Sequence, residues 1–151
     1  MANTRKEQYE KCINQFARFD RLRRQLIEKY VDTLGLRGSQ HSMLIEASRD
    51  SRLCQKDLAE KMEISPAAVT VTLKKLETQG YIERTPSSDD SRVNNIAITS
   101  KGKNIVKKTN DFYGVIDETA FEGFSDEEIA AFSGYMKRLI ENLKAYANAE
   151  N

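Results

Sequence analysis

The side chains that could support catalysis or metal binding are few and far apart in this chain. The 151 residues include two cysteines, Cys12 and Cys54, and a single histidine, His41. The cysteines form no C-x-x-C pair and one histidine cannot make a histidine cluster, so neither a zinc site nor a disulfide framework is predicted. A Ser-His-Asp triad would depend on His41 alone, and the carboxylates are scattered along helical patterns. We therefore expect a protein that is not an enzyme and has no cofactor or metal.

Charged residues are distributed unevenly along the chain. Although the formal net charge is +1, residues 1–48 sum to +3, residues 49–110 to +4 and residues 111–151 to −6. This asymmetry indicates a polyanion-facing surface in the middle of the chain and an acidic C-terminal part. The alternative is ordinary solvated charge.

Length and hydropathy favour one soluble domain. A chain of 151 residues buries most of its apolar surface on folding. No apolar run approaches the roughly 20 residues of a membrane span, and the first residues, MANTRKEQYEK, lack the apolar region of a signal peptide. We expect a cytoplasmic protein without a membrane partner.

Residues 4–33 have the apolar spacing of a long amphipathic helix. About 30 helical residues span roughly 45 Å, which is more than a small domain needs for its own core, so part of the apolar face is expected to meet another chain. Gly35 to Ser39 break the pattern, and Gln40 to Ser48 predict a short second helix.

The segment LCQKDLAEKMEISPAAVTVTLKKLETQGYIER predicts two further helices joined by a tight turn. Cys54 occupies an N-cap position three residues before Asp57, although serine or threonine is the usual cap. Ser65 and Pro66 are a stronger start signal for a helix that ends before Gly80. Val69, Leu73 and Leu76 would line its inner face. Its outward side chains are small or basic: Ala67, Ala68, Thr70, Val71, Lys74 and Lys75.

Two strands and two long helices complete the predicted order. The sequence predicts two strands, Tyr81–Thr85 and Asn94–Ile98. The segment PSSDDSRV between them is rich in turn formers and ends near a lone Arg92. A helix then runs from Thr99 or Ser100 to about Glu122, with Gly102 indicating close packing at its first turn. Ser125 and Glu128 form a capping box for a last helix that ends near Ala147. The fold class is mainly α with a small β-wing.

This order of elements, with the segments LCQKDLAEKMEIS, VTVTLKKLETQGYIER and DDSRVNNIAITSKG, resembles the MarR family of winged helix-turn-helix transcriptional regulators. The most specific features are the D-x-R motif at Asp90 to Arg92 and the hydrophobic-T-x-x-G signature at Ile98 to Gly102. The resemblance implies a single MarR-like domain over 1–151. Residues 4–33 and 100–148 would form dimerisation helices, and residues 38–99 the winged helix-turn-helix. It also implies a homodimer that represses transcription until a small molecule or an oxidant binds. The alternative is a repressor or activator that has no ligand.

The resemblance assigns DNA contacts to both parts of the winged region. Arg92 would enter the minor groove, where a guanidinium suits the negative potential of A·T-rich DNA, with Asp90 holding it in place. The alternative is an exposed Asp90–Arg92 ion pair of little consequence. The helix from Pro66 would lie in the major groove, with Lys74 and Lys75 on phosphates. The alternative for these lysines is an ordinary solvated helix face. Because family members often carry a polar residue at the position of Val71, we expect sparse hydrogen-bonded base readout and a larger share for DNA shape.

The signal is less well defined than the DNA contacts. Small molecules typically bind this family between the winged region and the dimer helices, which makes Phe16, Tyr30, His41 and Phe112 candidate pocket residues, although each also suits core or surface. Cys12 stands where some oxidant-sensing relatives carry a reactive cysteine, but core packing is the favoured interpretation. Cys54 at a helix N-terminus is a second redox candidate, with a simple capping role favoured.

Two other classes of function compete with a DNA-binding regulator. A winged-helix module that binds protein without DNA would have the same fold, but exposed lysines on the second helix argue against it, since protein-interface cores are depleted in lysine. An enzyme would need a cluster of catalytic groups. Steep loss of DNA binding with rising salt would support the regulator.

Overall fold

The computed structural model describes residues 2–50, 53–86 and 94–149. The elements in these ranges are α1 (Ala2–Thr33), α2 (Gly38–Arg49), α3 (Gln55–Met62), α4 (Pro66–Thr78), β1 (Ile82–Pro86), β2 (Asn94–Ile98), α5 (Ser100–Ala120) and α6 (Asp126–Ala149). The predicted class, mainly α with a small β-wing, is confirmed. The chain divides into two compact units, Met1–Tyr113 and Gly114–Asn151.

The core of the first unit lies where α2, α3, α4 and the hairpin meet. Val69, Leu73 and Leu76 are fully buried, as their spacing of four and three residues along α4 predicts. Leu58 of α3 is buried with them. One face of α4 is therefore fixed in the core, and the other face is left to the surface.

Local capping determines where α3 and α4 begin. The backbone N–H of Cys54 donates to Asp57 Oδ2 at 2.9 Å, and Ser65 Oγ accepts from the backbone N–H of Ala68 at 3.2 Å. Glu63 ends α3 in the left-handed region, with φ 53°, so the chain turns sharply between the two helices. The predicted start of the second helix, with Ser65 as N-cap and Pro66 as first residue, is confirmed.

The two strands form an antiparallel hairpin in which Ile82 pairs with Ile98 and Pro86 with Asn94. Ile82 and Ile96 face the core, while Glu83 is exposed, as the two-residue period of a strand requires. Residues 87–93 lie outside the described part of the chain, and with them the predicted wing residues Asp90 and Arg92.

α2 begins at Gly38, two residues earlier than predicted. Gly38 and Ser39 look like turn formers in the sequence, but the side chain of Gln40 closes the N-terminus of this helix. Its Oε1 accepts from the backbone N–H of Arg37 at 2.9 Å, which satisfies a donor that has no partner within the helix.

The second unit contains the end of α5 and the whole of α6. As predicted, Ser125 and Glu128 form a reciprocal capping box, with N–H to oxygen distances of 2.9 and 3.3 Å. Phe121 makes edge contacts with Phe124 and Phe132. Most of the apolar side chains of α6 are exposed in the single chain: Phe132, Tyr135, Leu139, Ile140, Leu143 and Tyr146.

Candidate nucleic-acid interface

The outer face of α4 is the surface that the sequence assigns to DNA. The side chains of Ala67, Ala68, Thr70, Val71, Lys74 and Lys75 are all exposed. Val71 is 56% exposed, whereas Val69, two residues earlier and on the opposite side of the helix, is fully buried. The helix therefore presents small and apolar groups along its N-terminal half and two ammonium groups further on.

The threonine hydroxyls on α4 are engaged within the protein. Thr70 Oγ1 donates to the carbonyl oxygen of Pro66 at 2.9 Å, and Thr72 Oγ1 donates to that of Ala68 at the same distance. Each hydroxyl proton is therefore engaged in a hydrogen bond to the backbone carbonyl four residues earlier in the same helix. Thr70 Oγ1 also accepts a hydrogen bond from Nε2 of Gln55, the first residue of α3. What Thr70 offers outward is chiefly its methyl group, which suits the methyl of thymine.

The C-terminal end of α4 is held by side chains from two other helices. Gln40 of α2 is buried, and its Nε2 donates to Gln79 Oε1 at 3.0 Å. Lys101 Nζ, in the first turn of α5, donates to the carbonyl oxygen of Gln79 at 2.7 Å. Thr99 Oγ1, directly before α5, donates to that of Gly80 at 2.8 Å. These bonds satisfy carbonyl groups that a helix end leaves without partners, and they fix the direction in which α4 leaves the core.

The hairpin is joined to α4 by an ion pair. Arg84 Nε of β1 lies 3.3 Å from Glu77 Oε2, and the two side chains are 21% and 43% exposed. Because Arg84 is the more buried partner, a carboxylate beside it offsets the cost of placing its charge there. The last turn of α4 and the base of the wing are in this way held together.

The four candidate pocket residues do not form one group. The rings of Tyr30 and Phe112 stack at a centroid distance of 4.0 Å, and His41 bonds Thr109, one turn before Phe112 on α5. Phe16 is 47% exposed and lies 14 residues before Tyr30, about 21 Å along α1. Within one chain, therefore, three of the candidates are neighbours and Phe16 is apart from them.

His41 is 4% exposed, and its Nε2 lies 3.0 Å from Thr109 Oγ1. The Thr109 hydroxyl donates to the carbonyl oxygen of Val106 at 2.9 Å, so we assign the proton of the imidazole to Nε2, which donates to Thr109. Burial lowers the pKa of His41 below its ordinary value of 6.5, because the charged imidazolium loses hydration.

The two cysteines have different surroundings. Cys12 is exposed, so the favoured interpretation that it packs in a core is wrong for the single chain: α1 turns that part of its apolar face away from the unit. Cys54 is half-buried at the N-cap of α3, as predicted. Hydrogen bonds from its thiol and its backbone N–H lower the pKa of Asp57.

Three residues of this region escaped the sequence reasoning: Gln40, Gln55 and Lys101. Each of them forms a hydrogen bond to a residue that lies 15 to 39 positions away in the sequence. No local sequence pattern predicts such contacts. The one sequence feature that could have pointed to such a contact is that Gln55 is polar and directly follows the N-cap Cys54.

A short helix, a sharp turn, a second helix with an exposed outer face and an antiparallel hairpin together define a winged helix-turn-helix, a class of DNA-binding domain. The family model of the MarR family matches residues 36–93. The HTH-type transcriptional regulator SarZ of Staphylococcus saprophyticus is 30% identical over 122 residues, covering 79% of this chain and 80% of its own. SarZ of Staphylococcus epidermidis is 31% identical over 105 residues, 68% of each chain.

Among solved structures, a mutant of S. aureus MepR superimposes with a TM-score of 0.80 at 20% identity, covering 86% of this chain and 96% of that one. At this identity the likeness concerns the fold. The chain belongs to the MarR family and is a DNA-binding transcriptional regulator. The comparisons support this class and not a winged-helix module that binds protein without DNA.

Within residues 2–50, 53–86 and 94–149, no helix is long and apolar enough to cross a membrane. The same residues contain no group of three or more histidine, cysteine or acidic side chains placed to hold a metal ion.

Proposed function

We propose that this regulator acts as a homodimer that places one α4 helix in each of two successive major grooves of a pseudo-palindromic operator. The observation that supports it best is the division of α4 into a fully buried inner face and an exposed outer face. Two recognition helices related by a twofold axis predict half-sites about 10 bp apart, or a multiple of that spacing. Binding of DNA, rather than catalysis, is the proposed activity.

The proposed dimer rests on apolar faces that one chain leaves exposed. On α1 these residues are Tyr9, Ile13, Phe16, Phe19, Leu22 and Leu26. Contiguous apolar faces of this kind mark protein interfaces, and α6 presents another.

We assign the DNA contacts by chemistry and position. Lys74 and Lys75, exposed beyond the apolar half of α4, would bind phosphates. The small groups of Ala67, Ala68, Thr70 and Val71 would approach base edges. On the motif alone, Arg92 would enter the minor groove with Asp90 beside it.

We further propose that the regulator is a repressor released by a signal. Tyr30, His41 and Phe112, gathered where α1, α2 and α5 meet, are the residues proposed to sense a small molecule, with Phe16 contributing only from a partner chain. For an oxidant signal, the exposed Cys12 is favoured over Cys54, whose thiol is bonded to Asp57. Mass spectrometry after mild peroxide, followed by DNA-binding assays, tests this: two unmodified thiols with unchanged binding would end the oxidant proposal.

The DNA-binding proposal is tested with the purified full chain by sedimentation and by titration of duplexes selected from a random library. We expect a dimer, and an affinity that falls steeply with salt. Lys74→Ala should weaken all sequences alike and flatten the salt slope by about one unit, whereas Arg92→Ala should act chiefly at A·T-rich flanks. Lys137→Ala, on exposed α6, is the charge-matched control. A monomer that ignores every duplex at low salt would overturn the proposal.

A further inference from the structure

We propose that Gln55 reads an adenine base in the major groove beside α4, and so supplies amide recognition of a base that α4, which has no side-chain amide, does not offer. The inference depends on the proposed docking of α4 into the groove. It makes Gln55, a residue of the preceding helix, a determinant of operator specificity.

A chain of hydrogen bonds holds the Gln55 side chain against the exposed face of α4. Gln55 Nε2 donates to Thr70 Oγ1, and Thr70 Oγ1 donates to the carbonyl oxygen of Pro66 at 2.9 Å. Thr70 is exposed on α4 between Ala67 and Val71, whose small side chains leave room for a base edge, and Gln55 of α3 is half-buried against it. The amide is thus in place before DNA binds, and little side-chain entropy remains to be lost.

The same chain of bonds determines which atom of the amide faces outward. The proton of the Thr70 hydroxyl is already used by Pro66, so the group that meets Thr70 must be a donor. Nε2 therefore faces Thr70, and Oε1 lies on the other side of the amide. After this bond the amide keeps one acceptor, Oε1, and one donor, the second N–H of Nε2.

One donor and one acceptor in a plane are the complement of adenine. In the major groove adenine presents the N6 amino group as donor and N7 as acceptor, and a glutamine amide meets both at once. Guanine presents two acceptors, O6 and N7, so Oε1 would face another oxygen. A change from A·T to G·C at this position should therefore leave a polar group without a partner, at a cost of about 5- to 150-fold in affinity.

No other amide of the two helices is available for this readout. Within Gln55–Met62 and Pro66–Thr78, both fully described, Gln55 carries the one side-chain amide. Gln79, the next residue after α4, has its Oε1 bonded to Gln40. Ala67, Ala68 and Val71 offer no polar side-chain atom, and the hydroxyl of Thr72 donates within the helix.

The test begins with selection of duplexes from a random library by the wild-type chain. Each base pair of the enriched half-site is then replaced in turn, and the affinities of four variants are measured: Gln55→Ala, Thr70→Val, Thr70→Ser and Lys56→Ala. Thr70→Val removes the acceptor for Nε2 but keeps the shape, whereas Thr70→Ser keeps the hydroxyl. Lys56→Ala is the control, because Lys56 is the exposed neighbour of Gln55 and is paired with Glu60 at 3.8 Å.

We expect one A·T pair in each half-site at which the wild-type chain discriminates by roughly tenfold and Gln55→Ala accepts all four pairs within about twofold. Thr70→Val should lose most of that discrimination and Thr70→Ser should keep it. Lys56→Ala should weaken all duplexes alike. Replacing the adenine by 7-deazaadenine, which lacks the N7 acceptor, should weaken the wild-type chain but not Gln55→Ala.

Two outcomes would overturn the inference, and a third would overturn the proposal beneath it. If Gln55→Ala keeps the wild-type preference at every position, Gln55 reads no base. If it loses affinity equally for all sequences, Gln55 binds the phosphate backbone instead. If the wild-type chain enriches no duplex at low salt, the docking of α4 itself is wrong.

Discussion

The side-chain ammonium of Lys101 lies 2.7 Å from the backbone carbonyl oxygen of Gln79 and 4.7 Å from the centroid of the Tyr81 ring. Lys101 belongs to the first turn of α5, and Gln79 directly follows α4 as its C-cap. A cation at a helix C-terminus is favourable, and the aromatic ring adds to the attraction. The start of α5 therefore helps to set the orientation of α4, the helix proposed to enter the major groove.

Lys101→Ala should reduce affinity for selected operator duplexes more than for random duplexes. Loss of the bond loosens the end of α4, and this affects a specific complex, which needs α4 in one orientation, more than a non-specific one. We also expect the free energy of unfolding of the protein to fall by about 1 kcal/mol. Lys103→Ala removes the same charge two residues later and is the control. The affinities are measured at the same salt concentration. If both variants lose the same affinity for selected and for random duplexes, Lys101 contributes only its charge.

Glu77→Gln should destabilise the protein, because Arg84 would keep a largely buried charge without its carboxylate. A double-mutant cycle with Arg84→Met, measured by denaturant unfolding, should give a coupling energy of about 1 kcal/mol. Glu83→Gln is the matched control, since Glu83 is exposed on the other face of β1. A coupling energy near zero would mean that the pair does not join the wing to α4.

Gly102→Ala should lower the free energy of unfolding by about 1 to 3 kcal/mol. A Cβ atom at this position would lie 2.3 Å from the carbonyl oxygen of Tyr81 and 2.7 Å from Cγ1 of Ile98, so α5 or the hairpin would have to move. Gly114→Ala, in the same helix but in open space, should instead stabilise by up to about 1 kcal/mol. Thermal unfolding of both variants distinguishes the cases, and a neutral Gly102→Ala would contradict the close packing.

The stability of the protein should fall as the pH decreases below about 6.5, because of His41. Burial lowers the pKa of His41 in the folded state, so the unfolded chain binds the proton first. The contribution of His41 to stability is fully present above its pKa in the unfolded chain and is lost as the pH falls towards its pKa in the folded protein. The slope is at most about 1.4 kcal/mol per pH unit.

Denaturant unfolding at fixed protein concentration between about pH 5.5 and 7.5, above the range of most carboxylates, measures this slope. His41→Gln keeps a donor near the position of Nε2 but does not titrate, and it should remove the slope. Since His41 is the only histidine in the sequence, a slope that persists in the variant would assign it to other groups.

Much of the fold could be predicted from the sequence, because its signals are local. The spacing of Val69, Leu73 and Leu76 identifies the inner face of α4 without knowledge of its neighbours. Ser65 and Pro66 mark the start of that helix, since capping uses atoms only a few residues apart. The outer face of the candidate site follows as the complement of the inner one.

The tertiary structure alone decided the contacts between residues that are distant in the chain. The bond from Gln55 to Thr70, the hold of Lys101 on Gln79 and the burial of His41 against Thr109 depend on how helices cross. Residue type does not encode these partners, because an amide or an ammonium bonds whatever acceptor the packing brings near it. In this protein the sequence by itself determined the elements and their buried faces, and packing determined which polar groups are held in place beside α4, the helix proposed to bind DNA.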